Sequence, residues 1–287
     1  MTGEGAASGI ATCDVCPHHC RLEPGALGAC QARRNVGSSV ACEAYGRLTS
    51  IAIDPVEKKP LARWMPGSRV LSVGGYGCNL HCPFCQNWRI SQAGSDDVRW
   101  REVGPDELVS LAMRERDLDP HMVGIAFTYN EPLVCWEYVR DCSRLAHRSG
   151  LKTVLVSNGY AEPRVVDELA PLLDAANIDL KSFSPDFYKR CGGDLDAVRK
   201  TIRRLSEERT CHLEVTTLVV PGMNDEAGEM DDLAGWLASL PGDITLHVTR
   251  FFPNWRMSDA SPTPVPTVRH LAEVARRRLP HVFVGNC

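Results

Sequence analysis

The stretch GGYGCNLHCPFCQNW, Gly74 to Trp88, places cysteines at 78, 82 and 85 in a C-x3-C-x2-C spacing. Three thiols this close can ligate one metal centre. They are one short of the four that a structural zinc or a closed iron–sulfur cluster normally takes, whereas a catalytic centre keeps a position open for substrate. The bland alternative is a zinc knuckle completed by His81 or a distant cysteine. The context favours the open centre: Phe84 stands directly before the third cysteine, and Gly74, Gly75 and Gly77 lead in from the apolar run Val70 to Val73.

That run begins a regular pattern. From about residue 65 onward, short β-branched stretches alternate with longer amphipathic ones, the signature of βα units and a parallel sheet. Strands are expected near Arg69–Gly74, Val123–Thr128, Thr153–Ser157, Ala175–Leu180, His212–Val219 and Ile244–Arg250, with a last apolar run at His281–Gly285. Helices are expected at Pro105–Glu115, Leu133–His147, Pro163–Leu169, Leu195–Glu207, Glu226–Leu240 and Val268–Arg278. Six βα units are too few for a closed eight-stranded barrel, so the expected fold is α/β, a partial (βα)6 TIM-like barrel over residues 66–287. Residues 1–65 read as a small cysteine-rich, metal-binding module, punctuated by glycine and with little periodicity. In βα barrels chemistry collects at the C-terminal ends of the strands, and Cys78 follows the first of them.

Bulk properties narrow the class. The chain has 287 residues, a formal charge of −4 and a pI near 6.1, so it shows no basic footprint for nucleic acid. The opening residues MTGEGAASGIAT carry no secretory pattern, and no apolar stretch reaches membrane-spanning length. Thirteen cysteines in so long a chain point to metal ligation and redox chemistry rather than a disulfide scaffold. A reducing compartment, the cytoplasm, is expected.

The strand ends supply a polar series. Thr128-Tyr129-Asn130-Glu131-Pro132 offers an amide and a carboxylate suited to an ammonium group, or else a glutamate capping a helix whose first residue is proline. Ser157-Asn158-Gly159 offers hydrogen-bonding groups, although it is also an ordinary turn sequence. Asp179 and Lys181 alternate on one strand and can pair, as a ligand site or as a rim ion pair. Glu214 and Thr216 lie on the fifth strand, before Pro221-Gly222-Met223-Asn224-Asp225. His247 alternates with Thr245 and Thr249 on the sixth, ahead of Arg250.

A second cysteine group, Cys13, Cys16, Cys20 and Cys30, with Cys42 beyond, has ligand spacing in a segment unable to build its own core. Zinc, a second iron–sulfur cluster and unligated thiols all remain open there, with His18 and His19 as substitute ligands. The final Cys287 emerges at the active-site face if the last run is a parallel strand. Cys135 and Cys142 read as packing, while Cys191 and Cys211 have no assignable role.

The three-cysteine motif resembles the signature of radical S-adenosylmethionine enzymes. With CDVCPHHCRLEPGALGAC, IDPVEKKPLARWMPG, TYNEP and HVTRFFPNWRM, the whole chain resembles the radical S-adenosylmethionine protein of the AmmeMemoRadiSam system, a relative of pyruvate formate-lyase activating enzymes. The resemblance implies that Cys78, Cys82 and Cys85 hold a 4Fe-4S cluster whose fourth iron is chelated by S-adenosylmethionine. Glu131-Pro132 matches a Gly-Gly-Glu-Pro that helps hold the amino group of that cofactor, with Tyr129 and Asn130 replacing the glycines. By the same resemblance Ser157 and Asn158 lie near its methionine or ribose, Asp179 and Lys181 near its carboxylate, and His247 near the ribose or adenine. Asn130 and Thr216 complete the expected cofactor-binding set. The implied reaction takes one electron from flavodoxin or ferredoxin and forms a 5′-deoxyadenosyl radical, which abstracts hydrogen from an unidentified small molecule, nucleobase or protein. AmmeMemoRadiSam proteins are the implied partners. Activation of a glycyl-radical enzyme is the alternative, and an iron–sulfur electron carrier or metal-binding protein without this cofactor is the alternative from another class.

Overall fold

The short apolar runs that alternate with amphipathic ones resolve into one sheet. In the computed structural model, which describes residues 9–287, eight strands lie side by side in chain order. They are β1 Ser50–Pro55, β2 Arg69–Gly74, β3 Met122–Phe127, β4 Lys152–Ser157, β5 Ala175–Asp179, β6 His212–Val219, β7 Thr245–Arg250 and β8 Val282–Gly285. Strands β2 to β8 run parallel, and β1 pairs antiparallel with β2. β1 and β8 are the two free edges, so the barrel stays open.

The period-2 pattern sorts the side chains. On β7, Leu246 and Val248 join the apolar core beneath the helices, whereas His247 and Thr249 face an interior cavity. β6 does the same with Val215 in the core and Thr216 and Leu218 at the cavity. Helices cover the outer face. Leu195–Glu207 starts where the Asp194 side chain accepts the Ala197 N–H and buries Leu195, Val198, Ile202 and Leu205, one face of a 3.6-residue period. β3 and β4 pack so closely that a Cβ at Gly124 would stand 1.9 Å from the Lys152 carbonyl oxygen. Only glycine fits there.

The differences from expectation have local causes. The Leu133–His147 helix opens as a 3-10 turn, Pro132–Cys135, before the α-helix Trp136–Arg148. Val265–Arg276 starts ahead of the expected Val268 because Pro266 occupies the first turn, where its missing N–H is no loss. The larger difference is β1, which falls inside the expected N-terminal module. It hides Asp54 while Ile51 and Ile53 remain partly exposed, the inverse of an amphipathic strand, so its periodicity is not visible.

Residues 1–8, where the expected module begins, lie outside the described residues. The segment that follows forms two-stranded pieces, Ala11–Thr12 with Arg21–Leu22 and Arg33–Asn35 with Val40–Cys42. Its apolar side chains join the barrel's packing: Cys13, Val15 and Cys16 belong to the main core, and Cys30, Ala32 and Ala44 pack on Tyr76 and Val134. Arg33 fixes the seat. Its buried guanidinium reaches Glu137 with two bonds of 2.9 and 2.7 Å and the Val134 carbonyl at 3.1 Å. Among the described residues no helix is long and apolar enough to cross a membrane.

Candidate active site

The loop after β2 is shaped by close contacts. Gly77 has φ +86°, and a Cβ there would stand 2.3 Å from the Cys30 carbonyl oxygen, so no other residue fits without displacement. That carbonyl accepts the Cys78 N–H at 3.2 Å. Asn130 pins the loop from the next strand end: its Oδ1 accepts the Gly75 N–H at 2.9 Å, and its Nδ2 donates to the Tyr76 and Gly77 carbonyls at 3.0 and 3.1 Å. Phe84 is buried against Phe187, with ring centroids 5.8 Å apart.

Cys78, Cys82 and Cys85 line one cavity of about 710 Å³. Burial pushes the Cys78 and Cys85 thiols up; contact with the Cys191 thiol, and then burial, does the same to Cys82. Hydrogen-bond donors surround the sulfurs. The Leu80 N–H lies 3.4 Å and the Asn158 Nδ2 3.5 Å from the Cys78 sulfur, and the Ser91 hydroxyl is 3.3 Å from that of Cys85.

Other strand ends supply the remaining walls. Asn130, Asn158, Asp179, Lys181, Thr216 and His247 all face the cavity. Lys181 pairs with Asp179 at 2.9 Å. Burial alone would lower its ammonium, but Asp179 and Cys82 hold it well above the ordinary lysine range. Glu57, Lys58, Pro60 and Ala62, from the chain between β1 and β2, complete the lining together with Phe283 to Asn286 of β8 and its tail. The terminal thiol of Cys287 is exposed, one residue beyond the Asn286 wall.

Two residues expected to contact a ligand sit behind the wall. Glu131 is 2% exposed, and its carboxylate accepts the Leu133 N–H, the Ser157 hydroxyl and the Asn158 N–H at 2.9, 2.7 and 2.8 Å. Burial pushes it up to about 7 despite those donors. Glu131 and Ser157 therefore brace Asn158, which carries the contact to Cys78. The carboxylate caps the Pro132–Cys135 turn at Leu133, but as a buried group and not as the solvated cap that a glutamate before proline suggests.

Sequence reasoning missed several groups because their partners are remote. Tyr129 has φ +72°, where a side chain is strained. Its hydroxyl donates to Asp54 of β1 at 2.7 Å, and the Lys59 ammonium reaches the same carboxylate at 2.8 Å. Burial would raise Asp54, but these two donors hold it well below the usual carboxylate range. Tyr129→Phe is expected to lower stability by about 1.5–3 kcal/mol, the value of a hydrogen bond to a charged group, measured by urea denaturation. No change would remove Asp54 as the anchor of this strained turn. Asn177 accepts from Thr216 at 2.9 Å and donates to the Pro60 carbonyl at 2.8 Å. Glu214 accepts from His247 and from the chain between β1 and β2. Cys191, without a role on sequence grounds, lies against Cys82, and its carbonyl accepts the His81 N–H at 2.7 Å.

Three thiols on one wall, with amide donors at the Cys78 sulfur, make a set for an iron–sulfur cluster with one free position. The model of the radical SAM superfamily matches residues 72–234, more than half of the chain. The chain belongs to the radical SAM superfamily. An uncharacterised protein of Methanocaldococcus jannaschii is 37% identical over 277 residues, covering 96% of this chain and 80% of that one. The pyruvate formate-lyase 1-activating enzyme of Escherichia coli K12 is 24% identical over 185 residues, 62% of this chain and 70% of the enzyme. A radical SAM methyltransferase from Sphaerobacter thermophilus superposes with a TM-score of 0.56 at 18% identity, over 76% of this chain and 66% of that one, a likeness of fold. As a radical SAM enzyme the protein uses a 4Fe-4S cluster and S-adenosylmethionine, and the donor set at Cys78, Cys82 and Cys85 fits the first of these.

Proposed function

We propose that the protein cleaves S-adenosylmethionine reductively and uses the resulting radical to take hydrogen from a substrate held in the same cavity. The observation that carries this is the convergence of the three thiols with Asn130, Asn158, Asp179, Lys181, Thr216 and His247 on one cavity, of a size suited to a cofactor with part of a substrate. A cluster held by Cys78, Cys82 and Cys85 would supply, once reduced, the single electron for cleavage of a carbon–sulfur bond of S-adenosylmethionine. The chain's own residues do the positioning. Cys78, Cys82 and Cys85 hold the cluster, while the Leu80 N–H and the Asn158 amide support the Cys78 sulfur as a thiolate. Lys181, kept cationic beside Asp179, meets the carboxylate of the cofactor, and Asp179 is free through its second oxygen to meet the ammonium. His247, whose Nε2 is turned to Glu214, presents its other ring nitrogen for the ribose or adenine together with Thr216. Glu131 and Ser157 act through Asn158.

The substrate we infer is something other than a glycyl-radical protein. Supporting this are the replacement of two glycines by Tyr129, held by Asp54, and Asn130, bonded to the cluster loop, and the cysteine segment packed on that loop. Activation of a glycyl-radical enzyme is the second reading, supported by the relationship to the Escherichia coli activating enzyme. Membership of the AmmeMemoRadiSam branch, a cytoplasmic setting and a flavodoxin or ferredoxin as electron donor belong to the same proposal.

Calorimetry tests the reading. Reconstituted wild type is expected to bind S-adenosylmethionine, and Lys181→Met to bind it about 10- to 100-fold more weakly, the value of a charged hydrogen bond. Failure of the cluster-loaded wild type to bind would leave an iron–sulfur electron carrier as the better description.

A further inference from the structure

The four N-terminal cysteines take no part in the cavity, yet Cys13, Cys16 and Cys30 are buried and the fold gathers all four. The Ala11–Thr12 and Arg21–Leu22 pair turns the chain back, so that the Cys13 N–H donates to the Cys20 carbonyl at 2.9 Å. Cys16 lies in the turn between, its carbonyl accepting the His19 N–H at 3.1 Å. A second turn returns Cys30: Gly28 N–H donates to the Arg33 carbonyl at 2.8 Å, and a Cβ at Gly28 would stand 3.8 Å from the Cys20 sulfur. Every one of these thiols lies within electrostatic reach of another in the group. Arg33, 4% exposed, is within the same reach of Cys13 and Cys30, and its Nε–H has no protein partner. Glu137 and the Val134 carbonyl take its two terminal nitrogens, so Nε–H is the donor left for a thiolate.

We propose that Cys13, Cys16, Cys20 and Cys30 hold a second iron–sulfur cluster. The two histidines that could substitute as ligands are engaged elsewhere by Nε2, His18 on the Asn79 carbonyl at 2.8 Å and His19 on Glu162 at 3.1 Å. Four thiols are present without recourse to them, so the proposed donor set is all thiol. Among the described residues no three Cys, His, Asp or Glu side chains close around a single ion, and this holds for Cys78, Cys82 and Cys85 as well. An open arrangement at both sites matches a polynuclear cluster, whose thiolates stand farther apart than four sulfurs at about 2.3 Å from one zinc.

Position gives the second reason. The Cys30 carbonyl takes the Cys78 N–H at 3.2 Å. The amide of Asn79, fully buried, accepts from the Asn158 Nδ2 that also approaches the Cys78 sulfur, at 2.9 and 3.5 Å, and itself meets the Cys16 thiol. Two ligand loops are thus joined by a direct hydrogen bond, a joint that suits redox partners and that a zinc staple does not need.

The test is elemental analysis of iron, sulfide and zinc with Mössbauer spectroscopy, on anaerobically reconstituted wild type and on the Cys78/Cys82/Cys85→Ala variant. The variant is expected to keep about half of the wild-type iron and sulfide, with the spectrum of a four-thiolate cluster. Cys16→Ser, in an otherwise wild-type chain, is expected to lose the iron and sulfide of that second cluster while the signal of the three-cysteine cluster remains. Should Cys16→Ser not fold, the wild-type iron count decides alone, with twice the iron of one cluster expected. A triple variant holding one zinc and no iron, or holding no metal, would overturn the proposal without touching the radical chemistry at Cys78.

Discussion

Glu214→Gln is expected to lower the unfolding free energy at pH 7 by about 3 kcal/mol and to erase the acid-side loss of stability that this residue causes. Glu214 is 0% exposed and accepts from His212 at 2.9 Å, His247 at 2.5 Å and the Ala62 and Arg63 N–H groups at 3.0 and 2.8 Å. Burial alone would push its carboxyl up. The four donors outweigh burial and hold it at about 2, against an ordinary value of 4.5. A carboxylate depressed in the folded state contributes stability above the unfolded value and loses it as pH falls toward the folded one. At about 1.4 kcal/mol per pH unit, the depression corresponds to roughly 3 kcal/mol, present above pH 4.5 and gone near pH 2. Urea denaturation at pH 7, 5, 4 and 3 should show wild type and variant converging as the solution is acidified. A gap that stays constant with pH would show that the carboxylate is not the group that ties β6 and His247 to the chain between β1 and β2.

Gly77→Ala is expected to be as damaging, at the opposite end of the cavity. An alanine at φ +86° meets the left-handed penalty of about 1–2 kcal/mol, and its Cβ would press on the Cys30 carbonyl oxygen at 2.3 Å and the Ala32 side chain at 2.9 Å. Neither is the tip of a flexible chain. Relief requires Cys78 and Cys30 to move apart, so the variant should lose about 3 kcal/mol or more in stability and most of the iron bound at Cys78, Cys82 and Cys85. Thermal unfolding and iron analysis read both effects. A variant that matches wild type in each would mean that the loop does not depend on this contact.

The parallel strands were legible because short apolar, β-branched runs alternate along the chain with longer amphipathic ones, which fixes where each strand ends. Asn158, Lys181, Thr216 and His247 could be placed at the cavity for that reason. β1 was not legible, since Asp54 is buried and its isoleucines are not, a pattern set by Lys59 and Tyr129 rather than by the strand. Glu131 shows the other kind of failure. Its position at a strand end was readable, but the choice between facing a ligand and bracing a wall is made by Ser157 and Asn158, one βα unit away. Cys191 had no signal at all. Its meeting with Cys82 depends on the turn after Pro185–Arg190 packing on the cluster loop, a contact that spacing along the chain does not encode.

The most direct measurement is an anaerobic assay of the reconstituted protein with dithionite and S-adenosylmethionine, following 5′-deoxyadenosine, beside the Cys78/Cys82/Cys85→Ala variant. Product from the wild type, with the variant at the level of a protein-free control, is the predicted result. Wild type that carries an intact cluster at these cysteines and binds S-adenosylmethionine, yet forms no more product than the variant, would contradict it.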